Sequence, residues 1–389
     1  MYIFLFGVAM AAPLTAVDAV RLGLPAHPSV AAAEAEHIAA RGEARQTLLF
    51  QDNPSLSVGY GLGGDRLDAD LAQPLSLTGE GLAARQAASL RVEATAYALE
   101  RARLVAAAEI RAAWVEAVVA HERAALLAEN FELATRLLRA TEARQAVGDA
   151  TELELRLARL EQARAAGDLL EAGANERDAL SALAAVVGRP VLAEDLVGRP
   201  EDAAPAPTGD AEAERADVAS ARANASAAEA ALRAARRASL PAAEIGAFYE
   251  QDGAERAMGP TLGLTVPLWH QGQARTGAAS GQAAAARAEL GATVASAETE
   301  QATSRALVAR TDTITAALAS GLDQDAAAAL RGVEAGYAAG ELDLTEVIFL
   351  QTAVVEGQIA VIEVAGAAAN NRIDALLADG DRALLGATP

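Results

Sequence analysis

The chain has 389 residues and a formal net charge of −21, and all 32 of its basic residues are Arg. That acidity argues against nucleic acid as a partner, because phosphate recognition needs a basic surface. The lack of Cys excludes disulfides, zinc–thiolate sites, thiol nucleophiles and a lipid-bearing Cys. Aromatics make up only 3%, too few for one thick core. The abundant Ala, Leu, Glu and Arg instead suit long helices packed in thin layers. The acidity fits either a conduit that tolerates cations or ordinary solvated helix faces.

The stretch YIFLFGVAMAA has the apolar centre of a secretory signal, with small residues Ala11, Ala12 and Ala16 after it and no basic leader. Residues 1–15 read as the remnant of a truncated signal peptide; a short buried helix is the alternative. No other run of about 18 charge-free apolar residues occurs, so no transmembrane helix is expected. Residues 16–50 alternate Ala with charges at helical spacing, interrupted near Gly23, Pro25 and Pro28. After Pro54 the period changes to two. Leu56, Val58, Tyr60 and Leu62 fall on one face, and Ser55, Ser57, Gly59 and Gly61 on the other. Gly63-Gly64-Asp65 supplies a turn, and the return run sets Leu67, Ala69, Leu71, Leu75 and Leu77 against Asp68, Asp70, Ala72 and Ser76. This predicts a two-faced hairpin over 54–77, closed by Pro74.

From 79 to 147 there is no proline, and a continuous helix there would reach ~100 Å. A helix of that length needs lateral neighbours, as in a coiled coil. Gly148-Asp149-Ala150-Thr151 reads as a helix stop and a new start, with a return helix over 151–187. Residues 188–211 hold Pro190, Pro200, Pro205 and Pro207 and read as a linker between halves that do not fold independently.

The second half repeats the first: a helix from 212, a hairpin over 242–268 flanked by Pro241 and Pro267, a long helix over 272–339, a stop at Gly340, a return helix over 343–378 and a tail over 381–389. In its hairpin Ile245, Ala247 and Tyr249 alternate with Glu244, Gly246, Phe248 and Glu250, less cleanly because of the Phe. After Asp252-Gly253, Leu262, Leu264, Val266 and Leu268 oppose Thr261, Gly263 and Thr265. The spacings Pro74 to Gly148 and Pro267 to Gly340 differ by one position. A period this long describes a duplicated half-molecule, not a solenoid. Each hairpin strand fits the length and alternation of a membrane β-barrel strand, though a half-buried soluble hairpin gives the same pattern. Four strands cannot close a barrel, so the count points to one built jointly by three copies.

The phrases NPSL, QPLSLTGEGLAAR, VPLWHQGQART, VGDATELELRLARLEQ and AAGELDLTEVIFLQTAVVEGQ, in this order, resemble the outer-membrane efflux proteins typified by TolC. The resemblance covers residues 16–380. It implies a mainly α fold with membrane β: a trimer whose twelve-stranded outer-membrane barrel is continued by a periplasmic α-helical barrel. It also implies a passive exit duct in outer-membrane lipid, served by a periplasmic adaptor and an inner-membrane pump of the RND or a similar class, and no enzyme. The compact length and PLWHQGQART look most like the CzcC-like heavy-metal group. Many of those members carry a lipidated Cys that this chain lacks. The cargo implied is heavy-metal cations or small toxic compounds. A duct for type I protein secretion is the alternative, and a soluble periplasmic coiled-coil protein a further one.

In that family acidic residues ring the narrow tip. Carried onto this chain they are Asp343 and Glu346 after Gly340, and Asp149, Glu152 and Glu154 after Gly148. A ring tripled by symmetry would attract cations; the competing reading is that Asp149 and Asp343 favour helix N-termini and that Glu152 and Glu154 line a solvated face. His27, His37, His121 and His270 show no ligand spacing, so no metal site or cofactor is expected. His270 beside Trp269 suits a membrane rim. Gly59–Gly64 has no Lys and precedes a strand, so it is a hairpin tip and not a phosphate loop.

Overall fold

The computed structural model describes residues 13–45, 53–61, 66–75, 78–208, 214–266, 269, 271–318, 322–339 and 341–386. Residues 1–12, the 62–65 turn, Pro267, His270 and Gly340 lie outside the described residues. The elements in order are α1 (Ala16–Gly23), α2 (Pro28–Arg45), β1 (Ser55–Tyr60), β2 (Arg66–Leu75), α3 (Glu80–Ala146), α4 (Glu152–Val187), α5 (Ala216–Arg237), β3 (Ala242–Asp252), β4 (Glu255–Thr265), α6 (Gln273–Leu318), α7 (Leu322–Ala339) and α8 (Leu344–Asp379). Of the long helix expected over 272–339, Gln273–Leu318 and Leu322–Ala339 are described as helical, and residues 319–321 lie outside the described residues. The fold is mainly α with one antiparallel sheet.

The chain forms two compact units, and neither matches one repeat. One comprises Met1–Val30, Arg103–Glu212 and Glu300–Pro389; the other comprises Ala31–Ala102 and Ala213–Thr299.

The core of the first unit gathers Leu14, Val20, Leu104, Ile110, Trp114, Leu183, Ile373 and Leu384. Gly23 lets α1 seat here, since a Cβ would meet Val186 O at 2.5 Å and Ile110 Cδ1 at 2.9 Å. Leu14 falls in the 1–15 stretch. It is fully buried and forms a parallel bridge with Leu196; its carbonyl accepts from Trp114 Nε1 at 3.0 Å. Thr15 caps α1 through a reciprocal bond pair with Asp18. The proline-rich linker is packed as well: Ala203 is fully buried, and Thr208 binds Asp381 through both its N–H (2.8 Å) and its hydroxyl (2.6 Å).

One turn before Trp114, Arg111 is 1% exposed and donates to Leu384 O (2.8 Å) and Ala203 O (2.6 Å). Burial pushes its guanidinium down to about 10, since desolvation disfavours the charged form. Arg111 and Trp114 together tie the N-terminal segment, the linker and the C-terminal turn to one face of α3.

The apolar α8 is long enough to cross a membrane by length and composition, with a mean hydropathy of 1.6 in its most apolar window. The expectation of no such helix counted only charge-free runs. Glu356 and Glu363 of α8 face Arg164 of α4 (3.7 Å) and Arg123 of α3 (3.2 Å), so its polar groups engage neighbouring helices.

In the second unit the buried helix positions are almost all Ala: Ala83 and Ala94 of α3, Ala219, Ala223 and Ala230 of α5, and Ala279 and Ala283 of α6. Small side chains allow close helix approach without aromatic bulk. The sheet has the order β1-β2-β3-β4, all antiparallel. Pro74 lies opposite Glu244 of β3, beyond the residues that β1 pairs, and Pro260 lies on the edge strand β4. Both are positions where a missing N–H is tolerated.

Candidate functional site: two helix turns and a two-faced sheet

The helix turn after α3 is built from backbone hydrogen bonds. Gly148 has φ +85°, its N–H reaches Gln145 O at 3.0 Å, and Asp149 N–H reaches Arg144 O at 2.9 Å. This bond pair closes a helix through a left-handed glycine. Thr151 then starts α4 with a reciprocal cap: its hydroxyl receives Glu154 N–H, and Glu154 receives Thr151 N–H at 2.6 Å. The turn after α7 repeats this chemistry. Glu341 N–H reaches Gly336 O at 2.9 Å, and Asp343 caps α8 with Glu346 as its reciprocal partner, at 2.8 and 3.0 Å. The S/T/D-x-x-E box therefore recurs in both halves.

The flanking helices of the two turns pack together. Leu137 of α3 and Ala158 of α4 meet Val333 and Tyr337 of α7 and Leu344 and Val347 of α8. The Thr141 hydroxyl donates to Leu137 O at 2.9 Å and lies 3.1 Å from the Tyr337 hydroxyl. The Arg144 guanidinium sits 4.9 Å from the Tyr337 ring centroid. Sequence reasoning missed this Thr–Tyr–Arg cluster; the one available signal was an aromatic three residues before Gly340 in a chain with only five Tyr.

All five tip acids lie at these turns. Asp343, Glu346, Glu154 and Glu152 each hold a bond: the first three serve caps, and Glu152 receives Arg156 Nε at 3.1 Å and Gln145 Nε2 at 3.2 Å. Asp149 is exposed beside Gly148. Capping leaves Asp343, Glu346 and Glu152 exposed, so their charge still faces outward.

Backbone and hydroxyl donation from Thr151 hold the Glu154 carboxyl below its ordinary value. A depressed carboxylate contributes stability that is present above the unfolded Glu value near ~4.3 and lost as pH falls through its lower folded value. Protection of the Glu154 and Leu155 amides, corrected for intrinsic exchange, is therefore expected to hold from neutral pH down to about that value and to fall below it. Loss of protection already near neutral pH would show that the cap does not carry the turn.

The sheet register sorts most of its residues by polarity, with Gln73, Gln251 and Arg256 as polar exceptions on the otherwise apolar face. Leu56, Val58, Tyr60, Leu67, Ala69, Leu71, Ile245, Ala247, Tyr249, Met258, Leu262 and Leu264 share one face. Ser55, Ser57, Gly59, Asp68, Asp70, Glu244, Gly246, Phe248, Glu250, Thr261 and Gly263 share the other. The apolar face is bare in one chain, with Leu262 80% and Leu264 68% exposed. Pro54 and Pro241 precede β1 and β3 directly.

The histidines are engaged separately: His27 with Glu109 (3.3 Å), His37 with Thr95 (3.0 Å) and His121 with Glu176 (2.6 Å). Among the described residues no three His, Cys, Asp or Glu are placed to hold a metal ion.

The family model described as outer membrane efflux protein matches residues 21–189. No curated protein matches the chain by sequence. Among solved structures, a membrane protein from Pseudomonas aeruginosa is similar with a TM-score of 0.78 and 21% identity, over 95% of this chain and 92% of that one. The CmeC outer membrane channel of Campylobacter jejuni has a TM-score of 0.79 and 18% identity, over 94% and 85%. The open state of the Neisseria gonorrhoeae MtrE outer membrane channel has a TM-score of 0.74 and 20% identity, over 94% and 89%.

Proposed function

From the match of the outer membrane efflux protein model to residues 21–189, we propose that the chain belongs to that family and is the outer-membrane exit duct of a tripartite efflux system. The observation that carries this reading is the sheet. Strands of 11 residues in β3 and β4 have the length of tilted membrane strands, with one bare apolar face and one polar face. A soluble coiled-coil protein would have to cover that apolar face.

Three copies closing β1 of one against β4 of the next make a barrel without edges. Lipid meets the apolar face and water the polar one. The helices continue the conduit into the periplasm, where an adaptor joins it to an inner-membrane pump of the RND or a similar class. Conduction is passive, with no catalytic step. The cargo is small toxic compounds or heavy-metal cations driven by the pump. The particle mass after detergent extraction of the outer membrane tests the assembly: a detergent-dependent trimer supports it, and a soluble monomer or dimer overturns it. Gain of metal or drug sensitivity on deletion supports efflux, whereas loss of a secreted protein assigns the duct to secretion.

The tip acids Asp149, Glu152, Glu154, Asp343 and Glu346, tripled by symmetry, form the cation-selective entrance. Glu346→Gln separates charge from structure, because Gln serves the same reciprocal cap as Glu. Its expected effect is a reduced cation preference in single-channel recordings, with the α8 start intact. Unchanged selectivity would remove Glu346 from the ring.

A further inference from the structure

The polar face of the sheet contains one residue that its surroundings do not call for. Its positions are Ser, Gly, Asp, Glu, Thr, Ala, Pro and Arg, and among the described residues Phe248 is the only aromatic there. Phe248 lies directly opposite Asp70 of β2 and Gly259 of β4. The ring lies down over Gly259, where a Cβ would meet Phe248 Cε1 at 2.9 Å. Nearby Arg66 draws Asp68 (3.2 Å) and Glu250 (2.8 Å) together. No described residue pairs with the Asp70 carboxylate, which is exposed at the register position across from Phe248. A ring and a free carboxylate at paired positions on one face can together recognise a hydrophobic organic cation large enough to span both: the ring quadrupole and the anion both attract it, and the ring covers its apolar groups.

We propose that Phe248 and Asp70 form an organic-cation subsite on the lumen wall of the barrel, repeated once per subunit. The inference rests on the duct reading above, which makes the polar face the lumen. It predicts that cargo cations with apolar substituents are retained at this level more strongly than compact inorganic ones. The competing role for the ring is to shield Gly259 and steady the β3–β4 pairing, as aromatics do beside strand glycines.

Block of single-channel current in planar bilayers by tetraphenylphosphonium and by magnesium separates the possibilities. Phe248→Leu keeps an apolar cover over Gly259 but removes the π face. It is expected to weaken tetraphenylphosphonium block about two- to fivefold, the scale of an exposed cation–π contact, and to leave the magnesium block as in the parent. Asp70→Asn is expected to weaken block by both cations. Identical tetraphenylphosphonium block in parent and Phe248→Leu overturns the proposal, and a lowered melting temperature with unchanged block assigns the ring to the structural role. Absence of any current from the parent protein overturns the duct reading, and the subsite with it.

Discussion

Replacing Leu264 by Arg is expected to lower recovery of the protein from the outer membrane. Leu264 lies on β4 with its side chain 68% exposed on the apolar face, one register step from Leu262. Leu264 is near the end of β4, where an Arg costs up to about 1 kcal/mol, so three copies place up to roughly 3 kcal/mol on one barrel. The adjacent Thr265 lies on the other face, opposite Ala242. Thr265→Arg points its charge into water and is expected to insert normally. Fractionation and detergent-gel mobility of the two variants read the outcome. Insertion of Leu264→Arg with exclusion of Thr265→Arg would reverse the assignment of the faces.

The second large effect is expected at Trp114. It is fully buried in the first unit and holds the Leu14 carbonyl at 3.0 Å. Trp114→Ala opens a cavity and is expected to cost about 3–5 kcal/mol. Trp114→Phe keeps most of the packing and loses the N–H, a loss of about 1 kcal/mol for the hydrogen bond. Limited proteolysis at rising temperature should order the proteins as parent, Trp114→Phe, Trp114→Ala. Equal sensitivity of the two variants would place the stabilisation in the bond to Leu14 instead of in ring packing.

These two predictions come from features that differ in how readable they were. The faces of the sheet follow from alternation, because a strand has period two and a one-residue slip would turn Leu262 and Leu264 toward the face of Asp and Glu. The tip turns were readable for a similar reason: Gly148 with Thr151 and Glu154, and Asp343 with Glu346, carry local signals that need no distant partner. Arg111 was not readable. An Arg in an Ala-rich helix looks like a solvated position, and only the fold brings Leu384 and Ala203 carbonyls to it. The packing of the linker was not readable for the same reason. Its prolines signal irregular backbone but cannot say that Ala203 is sealed in the core. Leu14 sits in an apolar run that resembles a leader, and its role depends on Trp114, a hundred positions away. The Thr141–Tyr337–Arg144 cluster needs two hairpins side by side, which no single helix pattern encodes.

The sheet order has a further consequence, for how the protein reaches its membrane. β1 and β4 are both edges of the four-stranded sheet, and in a single chain each offers unpaired backbone groups beside a bare apolar surface. Open edges of that kind pair with whatever strand they meet. On the duct reading proposed above, closure is an encounter between subunits, and its rate rises steeply with their local concentration. Overproduction would then raise productive closure and off-register pairing together.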